Sequence, residues 1–238
     1  MALSLKNQYN SLKRRLYIEG GLSFANFTLL NGIFLIGFAM ALGANDLQIG
    51  ILVAIPLLAN LVQLFSAFIL ELTGTKKWTT MVSLFFGRFM WLIIIFMAFG
   101  AMGNDNLLFL FGIILLIASL MTAIGNLSIL SWMKDLVPFR KLARFWGKRN
   151  IYASISGAIV YLLGSYALDR FEGIEVYGYI FIFATLLGFT GLYVLKGIPE
   201  KKKEIKAINP KKFFRRLRMP FKDSNFRPLL NFGLLWGF

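Results

Sequence analysis

The sequence predicts an all-α fold: a polytopic membrane bundle of six transmembrane helices plus an incomplete seventh. Three observations predict it: apolar runs of membrane-crossing length, short polar breaks between them, and basic residues confined to alternate breaks. A hydrocarbon core of about 30 Å is crossed by roughly 20 apolar residues in helix. Such runs extend from Leu22 to Gly43, Ile49 to Leu70, Thr79 to Met102, Leu107 to Trp132, Ile151 to Leu168 and Val176 to Leu195. Barrel strands would instead alternate in polarity over about ten residues.

The breaks are turn-like or charged: Ala44 to Asp46, Thr73 to Lys77, Gly103 to Asn106, a basic stretch from Lys134 to Arg149, and Asp169 to Glu175. Each is short, so neighbouring helices form antiparallel hairpins. The first run is too long for a cleaved signal peptide, and no small-residue cleavage signal follows it. Pro56 predicts a kink in the second helix, because it removes a backbone donor. Ala153, Gly157 and Gly164 lie at four- and seven-residue intervals and form one smooth ridge on the fifth. Trp78, Trp132 and Tyr177, near run ends, read as interfacial anchors.

Orientation follows from lysine and arginine. The N-terminal segment, the second and fourth breaks and the segment after Leu195 hold 4, 2, 6 and 12 of them, which is 24 of the 26. The other breaks hold only Arg170, beside Asp46, Asp105, Asp169, Glu172 and Glu175. This alternation places the N-terminus in the cytoplasm of a multi-pass cell-membrane protein. Residues 1–21 are then a cytoplasmic segment, 22–195 the six-helix bundle and 196–227 a basic cytoplasmic loop. Residues 228–238 begin a seventh helix that reaches about half-way across a bilayer. The chain therefore reads as the first half of a longer protein; a short buried or interfacial final helix is the other reading. The basic aromatic stretch around Phe213 suits either ordinary topology or contact with anionic lipid.

Composition removes whole classes of function. The chain is 58% hydrophobic and 16% charged, with no cysteine and no histidine. Thiol nucleophiles, disulfides, common zinc sites and imidazole catalysis are thereby excluded, and no cofactor, metal or enzymatic activity is expected. The formal charge of +15 follows membrane topology, so the expected partner is the bilayer rather than nucleic acid.

Six helices, an inward N-terminus, a basic loop and a seventh helix beginning after it resemble the N-terminal half of a major facilitator superfamily transporter. Between its second and third helices that family carries a glycine, an aspartate four positions on, a second glycine and basic residues. Here Glu71, Gly74 and Lys76 stand at matching positions, while Ala67 replaces the first glycine, and Leu72 and Thr75 replace common basic positions. The resemblance implies an inner gate, with Glu71 pairing to a basic residue of a neighbouring loop and Gly74 permitting a tight turn. Lys76 and Lys77 belong to the same loop. The stretch from Ser131 to Pro138, followed by Arg144 to Asn150, resembles the family's next inner loop and adds Asp135, Arg144 and Arg149 to the gate candidates.

The resemblance further implies two inverted three-helix repeats, a midplane solute site between two six-helix halves, and cavity lining by spans one, two, four and five. Thr28 and Asn31, Asn60 and Gln63, and Thr122 and Asn126 form pairs three or four residues apart, each on one helix face of those spans. Each pair is either a solute contact or interhelical glue worth about 0.6 kcal/mol. Arg88 lies deep in span three, about 14 Å beyond Thr79, where arginine costs from about 2.5 kcal/mol upward without a partner. Its partner is either an anionic solute or structural, such as backbone carbonyls or Asn126, since no acid in the six spans lies at its depth. No acid occupies the middle of a span, so proton coupling finds no support in these residues.

The function implied is secondary transport of an unnamed small solute by alternating access, with a second six-helix half as partner in cis or in trans. The alternative is a non-transporting bundle that binds a partner or is an inactive remnant.

Overall fold

Each apolar run folds as helix in the computed structural model, which describes residues 2–100 and 106–200 together with Pro228 and Phe232. The helices are α1 (Ala2–Leu30), α2 (Ile33–Ala41), α3 (Asp46–Ala59), α4 (Gln63–Thr73), α5 (Lys76–Ala98), α6 (Leu107–Leu136), α7 (Phe139–Arg170) and α8 (Glu175–Lys196). There is no strand among the described residues. The loop beyond Glu200 and the seventh run lie outside them, apart from Pro228 and Phe232, which are helical. Residues 101–105 also lie outside.

Among the described residues, five helical stretches are long and apolar enough to cross a membrane: Asn10–Ala41, Lys76–Ala98, Leu107–Leu136, Phe139–Arg170 and Glu175–Lys196. The expected second span is not one continuous helix. It is divided by a 3-10 turn at Asn60–Val62, one turn beyond Pro56, so its apolar part Asp46–Val62 falls short of a crossing by itself. The missing N–H of Pro56 loosens the ladder that the next turn builds on. The first span is broken as well, between α1 and α2, where Gly32 takes φ 59°. Outside the apolar runs, helix continues where loop was expected. α1 begins at Ala2, and nearly all of the basic stretch Lys134–Arg149 is the end of α6 and the first turns of α7, hinged at Val137–Pro138.

The packing repeats itself. α1 packs on α7 and α8, α5 packs on α6 and α8, and α3 and α4 pack on α6. Exchanging the first three spans for the last three converts the α5–α6 contact into α8–α1 and the α3–α6 contact into α7–α1, while α5–α8 maps onto itself. Because successive spans run antiparallel, the two triplets are inverted copies in topology.

Small residues set the closeness of these contacts, as expected where packing rather than hydrophobic burial drives association. The ridge of α7 is buried against α1: a Cβ at Gly157 would meet the Phe24 ring at 2.7 Å, and one at Gly164 would meet the Phe34 ring at 2.7 Å. The core has two clusters. Phe34, Phe38, Trp91, Phe111 and Phe181 fill the half toward the α2–α3 and α7–α8 turns. Leu16, Trp132, Met133, Phe145 and Leu195 fill the basic end. Trp132 is thus core rather than interfacial anchor, 1% exposed, with its indole N–H donating to Pro199 O at 3.3 Å. Trp78 is exposed, while Tyr177 packs against Phe38 and Phe181.

Candidate functional site

α1 and α6, the first helices of the two triplets, do not pack closely, and a cavity of about 440 Å³ opens between them, backed by α3 and α5. Both helix interruptions reach it, through Asn31–Gly32 and through Asn60. Of the polar residues singled out from sequence, Asn31, Asn60, Arg88, Thr122 and Asn126 line it. Asn31 and Thr122 donate to carbonyls of their own helix, to Phe27 O at 2.9 Å and Ala118 O at 2.7 Å. Asn60 Oδ1 accepts from Gln63 Nε2 at 2.8 Å. Thr28 and Gln63 do not line the cavity. Thr28 bonds to Phe24 O and lies beside Gly157 in the α1–α7 contact.

The deepest part of the site is a chain of side chains that ties three helices together. Arg88 of α5 is 6% exposed and donates through Nη2 to Ser23 Oγ at 3.2 Å. Ser23 donates to Glu19 Oε1 at 2.7 Å, one turn earlier on α1. Glu19, 1% exposed, accepts at Oε2 from Arg149 Nη2 of α7 at 3.0 Å. Room for Arg88 comes from α8, where a Cβ at Gly188 would meet its Nε at 2.9 Å. Asn26 closes the same corner by donating to Ala184 O at 2.8 Å.

Glu19, Ser23 and Asn26 were missed in the sequence. Glu19 sits three residues before the first apolar run, where it reads as a solvated end residue. Its signals are the Glu19/Ser23 spacing of four and the two glycines that follow it, which let the Arg149 side chain lie against Gly20. Arg149 is therefore part of the cavity wall and pairs across to α1. Arg88 is linked to an acid through Ser23 rather than to Asn126.

At the basic end, Gly74 caps α4 at φ 62°, the left-handed conformation that glycine takes without strain. The turn brings Lys76 Nζ to Asp135 Oδ2 at 2.6 Å and to Ser131 O at 3.2 Å, joining α5 to the end of α6. Lys77 Nζ donates to Lys196 O at 2.7 Å and Ile198 O at 2.8 Å, capping the carbonyl end of α8. In return the Glu200 carboxylate accepts from the N–H groups of Lys76 and Lys77 at the start of α5. Two antiparallel helices thus cap each other, each charge facing the favourable end of a helix dipole. Glu200→Ala is expected to cost about 1 kcal/mol, as loss of an N-cap does, and to speed amide exchange at residues 76–79 in hydrogen-exchange measurements. Arg144 is exposed on α7, and the side chain of Glu71 lies outside the described ones.

A second cavity, of about 530 Å³ between α7 and α8, is lined mainly by apolar side chains such as Val160, Phe171 and Phe183 and holds no comparable network. Among the described residues no cluster suits a metal ion.

Inverted helix triplets around a cavity, in a chain of apolar membrane-length helices, define a multi-pass membrane helix bundle. The family model of the Major Facilitator Superfamily matches residues 16–238, and the chain belongs to that superfamily. No curated protein and no solved structure matches it.

Proposed function

We propose that this chain is one half of a secondary transporter that moves a small solute across the cell membrane by alternating access, its cavity being one wall of the solute path. The observation that carries this reading is the convergence of Asn31, Asn60, Arg88, Thr122 and Asn126 on one cavity at the points where two helices are interrupted. Broken helices place free backbone groups and polar side chains at membrane depth, which is tolerated only where they face protein or a water-filled space.

A second six-helix half, in cis or in trans, completes the site by covering the face of α1, α3, α6 and α7. The uneven burial supports this: 22% of the apolar window of α7 is buried within the bundle, against 50% for α5 and α8. The N-terminus faces the cytoplasm, since the basic residues gather at its end of the bundle. There the Gly74 turn and the Lys76–Asp135 pair form the inner gate, with Glu71, Lys77 and Arg144 around it. Charge-assisted but partly exposed, that pair is worth about 1 kcal/mol or less, weak enough to break in each cycle.

The test is counterflow into proteoliposomes holding the full chain, using mixed labelled amino acids, sugars, nucleosides and organic acids. The expected result is saturable exchange of at least one solute, lost in Asn126→Leu. Flux equal to that of protein-free liposomes for every solute, with the chain and its second half both present, would overturn the reading.

A further inference from the structure

The cavity holds more positive charge than its own residues neutralise. Among the described residues, the ionisable ones that line it are Glu19, Arg88 and Arg149, two cations against one carboxylate. The carboxylate serves both arginines, Arg149 directly and Arg88 through Ser23. Each arginine still keeps one buried donor without a partner, Nη1 of Arg88 and Nε of Arg149. Guanidinium donors are not left bare at such depth without cost, and a carboxylate is the group that pairs best with a guanidinium.

We propose that Arg88 and Arg149 form a binding site for the carboxylate of a small organic monoanion, with Glu19 as the resident counter-ion that holds both arginines in place between solutes. This rests on the reading of the cavity as the solute path and names the class of solute. One uncompensated positive charge matches one negative charge on the ligand. Phe24, Phe27, Leu30, Trp91 and Leu115 give the rest of the lining an apolar character suited to a short hydrocarbon or aromatic body. At about 440 Å³ the space falls in the range of small-ligand pockets. A neutral ligand can accept from these donors through a carbonyl or hydroxyl oxygen but leaves the excess positive charge uncompensated, and a cation would meet two like charges for every opposite one.

The experiment is binding to the full chain in nanodiscs, followed by thermal shift and calorimetry, with acetate, benzoate and inorganic phosphate as anionic probes and benzamide as the neutral match for benzoate. Benzoate is expected to bind and to raise the melting temperature, and benzamide to do neither. Arg88→Ala is expected to weaken benzoate at least about tenfold, and Arg88→Lys less, since lysine keeps the charge but loses the fork. Glu19→Gln keeps an acceptor for Arg149 but removes the competing charge, and is expected to tighten benzoate about fivefold. Equal binding of benzoate and benzamide, no binding of any anion by the wild-type chain, or unchanged benzoate affinity in a folded Arg88→Ala would each overturn the proposal. Saturable counterflow of neutral solutes alone would also overturn it while leaving the transport reading intact. Arg88-dependent benzoate binding without flux of any solute would sustain the site and sink the transport reading instead.

Discussion

Glu19→Ala is expected to destabilise the bundle by about 3–5 kcal/mol, the range seen when one partner of a buried ion pair is removed. The carboxylate is 1% exposed and bonds both Arg149 and Ser23, so its loss strands a guanidinium at low dielectric and frees the hydroxyl that orients Arg88. The effect comes mainly from the stranded charge, not from the worth of the pair. Glu19→Met combined with Arg149→Leu is therefore expected to recover most of the loss, while either change alone is costly. Reversible denaturation in mixed micelles checks this. Equal stability of Glu19→Ala and wild type would show that Arg149 swings into water without penalty and that the buried pair is incidental.

Gly164→Val is expected to separate α7 from α1. A Cβ at this position already meets Phe34 Cε1 and Cζ at 2.7 Å and Leu29 Cδ2 at 3.0 Å. Phe34 is fully buried and meets the Tyr161 ring edge-on. Overpacking of this kind costs about 1–3 kcal/mol for one added carbon, and the branched valine exceeds that. Gly147, with nothing within 4 Å of a Cβ, is the matched control, expected to tolerate alanine. A drop in melting temperature for Gly164→Val and none for Gly147→Ala is the expected pair of readings. Equal stability of Gly164→Val and wild type would mean that α1 and α7 are held by other contacts.

Most of the fold was legible because a membrane leaves so few solutions for a backbone. Run length marked the apolar stretches that fold as helix and their hairpin order, and the Gly74 turn was legible because a left-handed cap favours glycine. The break at Asn31–Gly32 was not legible. Glycine is common in membrane helices, and nothing local to Asn31 distinguishes a broken helix from one that passes straight through. The division at Asn60–Val62 was half legible, since Pro56 announces a fault but not how far along it is expressed. The helical extensions of α1, α6 and α7 escaped because hydropathy marks where the bilayer ends, not where a helix does.

The site divides in the same way. Asn31, Asn60, Thr122 and Asn126 were found because polar groups inside apolar runs stand out, but a spacing of three or four does not say which neighbour the shared face meets. Thr28 consequently lies against α7 instead of the cavity. Arg88 announced itself as the one charge deep in a run, whereas its link to Glu19 is tertiary, formed by residues far apart in sequence and joined through a serine. Trp132 shows the same limit: a tryptophan at a run end is an anchor in a short helix and core in one that continues past it, as α6 does.

Because the chain contains no cysteine, a single introduced thiol reports one position without background. The most direct test is Asn126→Cys in sealed native-membrane vesicles, labelled with a membrane-impermeant thiol reagent applied to one face at a time. Thr28→Cys, in the α1–α7 contact, serves as the control. Alternating access predicts that the cavity thiol of Asn126→Cys reacts from either face, that the control thiol of Thr28→Cys reacts far more slowly, and that transported solute shifts the ratio of the two rates at the cavity position. Labelling of Asn126→Cys from one face only, unchanged by any solute, would contradict the transporter reading.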